Sequence, residues 1–307
     1  MNHRNRIDLA KRSLLGVSIG DAFGDSFFGD TDEMSERIHN RIVTDTRWEF
    51  TDDTVMSIAV FEQLEKYGEI RQDDLAKLFC TNLQLDENRG YGATARRILR
   101  EIHEGGDWRE ISASAFDGMG SMGNGAAMRA NPIGAYFHDD LENVKAHAAM
   151  SAVITHSNLE AISGAIAVAA ATAIAAQVKM ENRQISPADF IGSVAAHISD
   201  SDTLSKIKKS ISVPYSYNIE TVKSILGNGS KMSAQDTVPF ALWCAAHNLY
   251  DFEEGLWKAV SILGDRDTIC AIVAGITIMS TNENKIPSAW IESVEDFEKS
   301  KFRNTLV

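Results

Sequence analysis

Apolar positions recur at helical spacing along almost the whole chain. Ile7, Leu9, Ala10, Leu14, Leu15, Val17 and Ile19 trace one face of an amphipathic helix, which runs into Gly20-Asp21-Ala22-Phe23-Gly24-Asp25, where the glycines predict an end or a kink. The spacing predicts a second helix from Val55 to about Lys66 and further helices over 72–84, 93–104, 139–154, 158–179, 186–199, 217–226, 234–248, 252–263, 267–280 and 288–300. Residues 26–50 read as irregular, with Arg41-Ile42-Val43-Thr44 as a short strand candidate; the alternation of a half-buried strand is otherwise nearly absent. Pro132, Pro187, Pro214, Pro239 and Pro287 fall mostly at breaks. No repeat, low-complexity linker or shift in composition marks a boundary, so the expected architecture is one all-α domain over residues 1–307.

Composition narrows the field. With 44% hydrophobic and 24% charged residues the chain is an ordinary globular mix, which excludes extensive disorder. A net charge of −13 argues against a broad nucleic-acid or anionic-membrane surface, since either needs a positive face, but it leaves room for an anionic small molecule held by cations and backbone amides. The basic start, Met1 to Arg6, passes straight into the amphipathic segment without the apolar core of a secretory signal. Ala161 to Val178 is nearly all Ala, Ile and Val, and its small residues predict a helix buried among helices rather than a lipid-facing span. Cys80, Cys244 and Cys270 are widely spaced in apolar helical context and read as reduced thiols, for which a cytoplasmic location is expected. The alternating charges of 286–307 indicate a solvated amphipathic helix.

Candidate chemistry is concentrated in two acidic clusters, Thr51-Asp52-Asp53-Thr54 and Asp265-Arg266-Asp267-Thr268, each at the start of an apolar helix. Each is explained alone by capping, because threonine and aspartate satisfy free amides at a helix N-terminus and acids there favour the dipole. Together they also form an oxygen-only donor set that suits a hard cation, which would remove the repulsion among four carboxylates. Between them, Gly118, Gly120, Gly123 and Gly125 give four glycines in eight positions ahead of a helix, either a flexible connection or a cradle whose amides point at a phosphate. Neither a P-loop nor a dinucleotide fingerprint is present, because no Gly-Lys-Ser/Thr follows and no strand precedes. Arg89-Gly90-Tyr91-Gly92 offers a mobile aromatic over a ligand or a plain turn, and Thr155-His156-Ser157-Asn158 either caps a helix or carries a functional histidine.

Taken in order, Gly20-Asp21-Ala22-Phe23-Gly24, Thr51-Asp52-Asp53-Thr54-Val55-Met56, Gly123-Asn124-Gly125-Ala126-Ala127-Met128-Arg129, Thr155-His156 and Asp265-Arg266-Asp267-Thr268 resemble the ADP-ribosylglycohydrolase family over about residues 7–280. The resemblance implies an all-α, orthogonally packed bundle with a central two-metal cleft that cleaves ADP-ribose from modified side chains or related conjugates. It implies that Thr51, Asp52, Asp53, Asp265, Asp267 and Thr268 hold two Mg²⁺ ions, with Mn²⁺ as the alternative, and that Asp21 orients the metal waters. Ser121, Gly123, Asn124, Gly125 and His156 would bind the diphosphate and distal ribose, Tyr91 and Gly92 would close over the substrate, and Asp52, Asp53 or Asp267 would accept a proton. The implied partner is an ADP-ribosylated protein or conjugate; the oligomeric state stays open, a monomer being compatible with the sequence.

One position departs from the family pattern. Members that look built for serine-linked ADP-ribose carry glutamate four residues after the second glycine of the first motif, and here that residue is Phe28. The run Arg47-Trp48 to Met56 resembles mammalian-type arginine-cleaving members, which also lack that glutamate, so an N-linked substrate is favoured; Asp25, Asp30 or Asp86 as a replacement carboxylate leaves O-linked chemistry open. An immunity or binding protein of the same fold, acting against an ADP-ribosylating toxin, is the non-catalytic alternative. An HD-type phosphohydrolase built on His138-Asp139 is the rival enzyme class, without matching spacing at His103 or His147.

Overall fold

The structure, a computed structural model, describes residues 1–44 and 46–303. Its α-helices, in order, are α1 (His3–Asp25), α2 (Thr31–His39), α3 (Asp52–Tyr67), α4 (Gln72–Leu85), α5 (Ala93–His103), α6 (Trp108–Ser114), α7 (Asn131–Tyr136) and α8 (Leu141–Val153), followed by α9 (Leu159–Met180), α10 (Pro187–Ala195), α11 (Asp202–Ser210), α12 (Ile219–Leu226), α13 (Ala234–His247), α14 (Phe252–Val260), α15 (Arg266–Ser280) and α16 (Ser288–Ser293). Among the described residues there is no strand, only isolated bridges joining Trp48 to Val294 and Gly123 to Ser233. The all-α expectation holds.

The apolar helix α9 is central, packed against α7, α8, α13 and α15. It is long and apolar enough to cross a membrane by composition, yet 89% of that stretch is buried within the protein, where its alanines let neighbouring helices approach. Cys80, Cys244 and Cys270 are all buried free thiols.

The longest helix pairing is α1 against α15, and here the expectation that glycines end the first helix is corrected. Gly16, Gly20 and Gly24 recur every fourth residue and therefore form one stripe along α1. A Cβ at Gly16 would lie 2.6 Å from the carbonyl oxygen of Ala274, and at Gly20 and Gly24 it would collide with the carbonyls of Cys270 and Arg266. Contact positions descend along α15 as they ascend along α1, so the helices are antiparallel and nearly backbone to backbone. Each glycine costs a helix about 1 kcal/mol relative to alanine. The close approach offsets this and brings Asp21, beside Gly20, to the start of α15.

Other departures have local causes. Residues 26–50, outside undescribed Asp45, contain α2, started by Asp30, whose side chain accepts from the amides of Asp32 and Glu33; only Met34 of this helix is buried, so it has almost no hydrophobic period. Arg41–Thr44 is not a strand but begins as a turn with Arg41 at φ 53°. Short helices α6, α7 and α11 were also absent from the periodic pattern. Pro239 lies inside α13 rather than at a break. The segment 288–300 divides into α16 and a 3₁₀ turn over Phe297–Lys299. It is a packed strap rather than a solvated helix: Trp290 stacks on Phe23 with centroids 4.7 Å apart, and Phe297 and Phe302 are buried. Residues 304–307 of the expected helix lie outside the described residues.

Candidate active site

The acidic half is assembled from the ends of α1, α3 and α15. Thr51 N-caps α3, its side chain accepting from the Asp53 amide at 3.3 Å. Fully buried Asp21 binds this start from behind: its carboxylate accepts from the Thr51 amide (2.9 Å) and hydroxyl (2.8 Å) and from the Thr54 amide (3.0 Å) and hydroxyl (2.6 Å). Four donors on one carboxylate fix the register of α3 against α1. Across the junction, the Thr268 hydroxyl reaches Asp53 Oδ2 at 3.5 Å, tying α15 to α3. Capping and clustering are thus both real, and the two distant sequence clusters meet.

The carboxylates oppose one another. Burial, together with the charge of Asp267, raises Asp21 to about 7 despite its hydrogen bonds. Burial likewise pushes Asp52, Asp53 and Asp265 well above the usual carboxylate range, reinforced by Asp267 in all three and by Asp21 at Asp52 and Asp53. Asp53 Oδ1 and Asp267 Oδ1 are buried without a hydrogen-bond partner. Among the described residues no three His, Cys, Asp or Glu side chains already form a metal-holding group. The fit to a cation rests instead on the donors: hard carboxylate and hydroxyl oxygens, two of them orphaned in a net-negative buried cluster.

The other half is the glycine loop, whose geometry differs from expectation. A 3₁₀ turn over Asn124–Ala126 follows the loop and α7 begins only at Asn131, so the helix expected directly after the glycines is not there; instead the loop packs against the starts of two other helices, Gly120 against Asn158 at the start of α9 and Gly123 bridged to Ser233 at the start of α13. Ser121 Oγ accepts from the Gly123 amide at 3.2 Å. His156 lies against the loop, and a Cβ on Gly123 would sit 2.9 Å from its Nε2, one on Gly125 2.9 Å from its Cε1; only glycine fits at both. Asn124 joins the halves by donating to Asp265 Oδ2 at 2.5 Å and to Thr237 Oγ1 at 3.0 Å.

Behind the loop stands Arg129, fully buried, with a role that sequence reasoning left unassigned. It donates to the Gly125 carbonyl (3.0 Å), the Ser151 carbonyl (2.8 Å) and Thr155 Oγ1 (2.9 Å), and its guanidinium lies 4.5 Å from the Phe79 ring centroid. Burial lowers its pKa to about 9. Burial and the nearby Arg129 charge push His156 down to about 3, so the imidazole is neutral at ordinary pH. The sequence signal was a lone arginine in an Ala/Met run directly after the glycines.

Tyr91 is packed inward. It is only 3% exposed, its hydroxyl lacks a partner, and burial raises its pKa, while Gly92 is exposed. The neighbouring Gly90 places its backbone close against the Asp52 carboxylate, and the Asp52 amide donates to the Arg89 carbonyl at 2.5 Å. Phe28 is exposed with the Arg266 guanidinium 4.9 Å from its ring centroid. Of the three replacement carboxylates, Asp30 is spent as the α2 cap, and Asp86 pairs with Arg89 and Lys301. The Asp25 side chain has no hydrogen bond or ion pair among the described residues; it lies one turn beyond Asp21, and burial, Asp267 and Glu49 raise it to about 6. His138 hydrogen-bonds the Ala135 carbonyl and Asp139 pairs with Arg6 and the N-terminus, so this dipeptide forms no metal site. A surface cavity of about 800 Å³ lined by Leu9, Leu15, Ile278, Ile286 and Phe297 contains none of the residues of either half.

An all-α frame sets a carboxylate–threonine cluster against a glycine loop, a class of site with hard oxygen donors on one side and a tight loop on the other. Residues 2–306 match the family model for ADP-ribosylglycohydrolase, and the chain belongs to that family. It is similar to ADP-ribosylhydrolase ARH3 of Xenopus tropicalis, at 26% identity over 94% of this chain and 91% of the relative, and to that of Homo sapiens, at 27% over 82% and 76%. An uncharacterized protein of Archaeoglobus fulgidus is 28% identical over 94% of this chain and 92% of its own length. A solved structure of an ADP-ribosylglycohydrolase-related protein complex shares the fold at a TM-score of 0.67 and 20% identity, covering 95% of this chain and 94% of that one. The chain is therefore a hydrolase acting on ADP-ribose glycosidic bonds.

Proposed function

We propose that this hydrolase removes ADP-ribose from a modified protein side chain, with two Mg²⁺ ions at Thr51, Asp52, Asp53, Asp265, Asp267 and Thr268 and an N-linked arginine as the favoured acceptor. The observation that carries the reading is the junction at Asn124: its bond to Asp265 Oδ2 ties the glycine loop to the acidic cluster, in which Asp53 Oδ1 and Asp267 Oδ1 lack partners. When bound, Mg²⁺ supplies fixed positive charge that orients ribose hydroxyls and acidifies a water.

The chain's own residues supply the rest. Asp21 keeps Thr51 and the start of α3 in place. Ser121, Gly123, Asn124, Gly125 and His156 receive the diphosphate and distal ribose. A carboxylate among Asp52, Asp53 and Asp267 takes a proton from the attacking water as its oxygen bonds to the anomeric carbon. The glycosidic bond breaks, its electron pair leaves with the acceptor nitrogen, and that nitrogen recovers a proton. Asp25, uncommitted at the end of α1, is the replacement carboxylate through which an O-linked acceptor would be served. The arginine preference draws support from Phe28, an exposed ring that already lies beside one guanidinium. The working setting is the cytoplasm, as a single domain.

The test follows ADP-ribose release from arginine-linked and serine-linked peptides by wild type and Asp267→Ala, with Mg²⁺ and with chelator. Release from the arginine peptide alone, lost with chelator and in Asp267→Ala, is expected. Cleavage of the serine peptide alone would overturn the acceptor assignment, and undiminished release in chelator would overturn the metal role.

A further inference from the structure

The contacts around His156 fix more than its position. Arg129 Nη2 can only donate, so Thr155 Oγ1 accepts from it at 2.9 Å. The same oxygen lies 2.7 Å from His156 Nδ1. Thr155 is fully buried, and among the described residues its hydroxyl hydrogen has no other acceptor. The arrangement that satisfies every group has Arg129 donating to Thr155 and Thr155 donating to Nδ1. Nδ1 is then the acceptor, and the ring proton belongs on Nε2. That atom makes no hydrogen bond among the described residues and lies along the edge of the glycine loop, close to the α-carbons of Gly123 and Gly125. Arg129 holds the loop at the same time through the Gly125 carbonyl, so one side chain sets both the loop and the imidazole facing it. Its charge has no carboxylate in hydrogen-bonding contact among the described residues; its contacts are carbonyls, hydroxyls, the Met56 sulfur and the Phe79 ring.

We propose that Arg129 and Thr155 form a relay that locks His156 in the Nε2–H tautomer and presents that proton to an anionic oxygen of the ligand in the glycine loop. This rests on the reading of the loop as the diphosphate site. Arg129 and Thr155 are positioning residues, His156 the one that touches ligand. The buried guanidinium also contributes positive potential behind the loop, which the ligand's negative charge complements.

Long-range ¹H–¹⁵N spectra of histidine-labelled protein read the tautomer directly, with His156→Gln identifying the signal among the 8 histidines. Wild type is expected to carry its proton on Nε2, with Nδ1 unprotonated. Thr155→Val, similar in size but without the hydroxyl, should leave Nδ1 without its donor, free the ring to move, and weaken ADP-ribose binding about tenfold in calorimetry, about 1.4 kcal/mol. Thr155→Ser should restore the donor and the affinity. A wild-type proton on Nδ1 overturns the relay without needing any variant to fold. So does Thr155→Val with unchanged affinity. Failure of wild type to bind ADP-ribose while His156 keeps Nε2–H would instead overturn the diphosphate reading of the loop, leaving the tautomer assignment standing.

Discussion

On the acidic half, Asp53 and Asp267 each bury an oxygen that nothing satisfies, and the carboxylates raise one another's pKa; a few ångströms away, beyond the Asn124–Asp265 bond, a buried arginine is saturated by neutral acceptors and an aromatic face. The first region is held together against its own charge by threonine hydroxyls and the Asp21 carboxylate, and the second has positive charge to spare. A site divided in this way suits a ligand that is anionic at one end and meets cations at the other. Polar satisfaction separates the halves more clearly than residue type does.

The largest expected effect breaks the acidic half. Asp53→Ala should lower kcat/KM for ADP-ribose release by about 10²–10³, the range for losing one preorganised electrostatic contact at a reacting centre, measured in steady-state hydrolysis. Next comes the frame that carries it. Gly24→Ala puts a methyl into the Arg266 backbone and should cost about 2–3 kcal/mol in denaturant unfolding, as overpacking does, with activity falling because Asp21 and α15 move apart.

These two predictions mark where sequence and structure part. The acidic and glycine motifs, the helical class and the buried Ala-rich helix were readable because each is a local pattern of residue types. The role of Gly16, Gly20 and Gly24 was not, because a glycine stripe reads as a break until the partner backbone at Arg266, Cys270 and Ala274 is known. Arg129 was quoted within a motif but left without a task, since its partners Ser151 and Thr155 come from another helix end. The glycines flanking Tyr91 read as a mobile aromatic or a plain turn, and the tertiary packing that buries its ring is not visible from them. Short helix α2 rests on one cap and one buried methionine, too little to give a period.

On the glycine half, His156→Ala should weaken ADP-ribose binding by about 1.5–3 kcal/mol, the value of a hydrogen bond to a charged group, while leaving Mg²⁺ binding unchanged by calorimetry. A pH effect on stability also follows. Asp21 and Asp25 bind protons more tightly folded than unfolded, at about 7 and about 6 against an ordinary value of 3.8, so the folded state holds more protons between those limits. Stability of the metal-free protein should therefore be highest below about pH 4, before acid affects other groups, and fall as pH rises to about 7. Melting curves over that range should show the decline, flattened in Asp21→Asn.

The central claim, that the acidic half is built around cations and strained without them, is tested most directly by thermal melting of wild type and Asp53→Asn at pH 8, with Mg²⁺ and with chelator. The account predicts that Mg²⁺ raises the wild-type midpoint, and that Asp53→Asn melts higher than wild type in chelator yet gains little from Mg²⁺. A wild-type midpoint indifferent to Mg²⁺, or an Asp53→Asn midpoint below wild type in chelator, would contradict it.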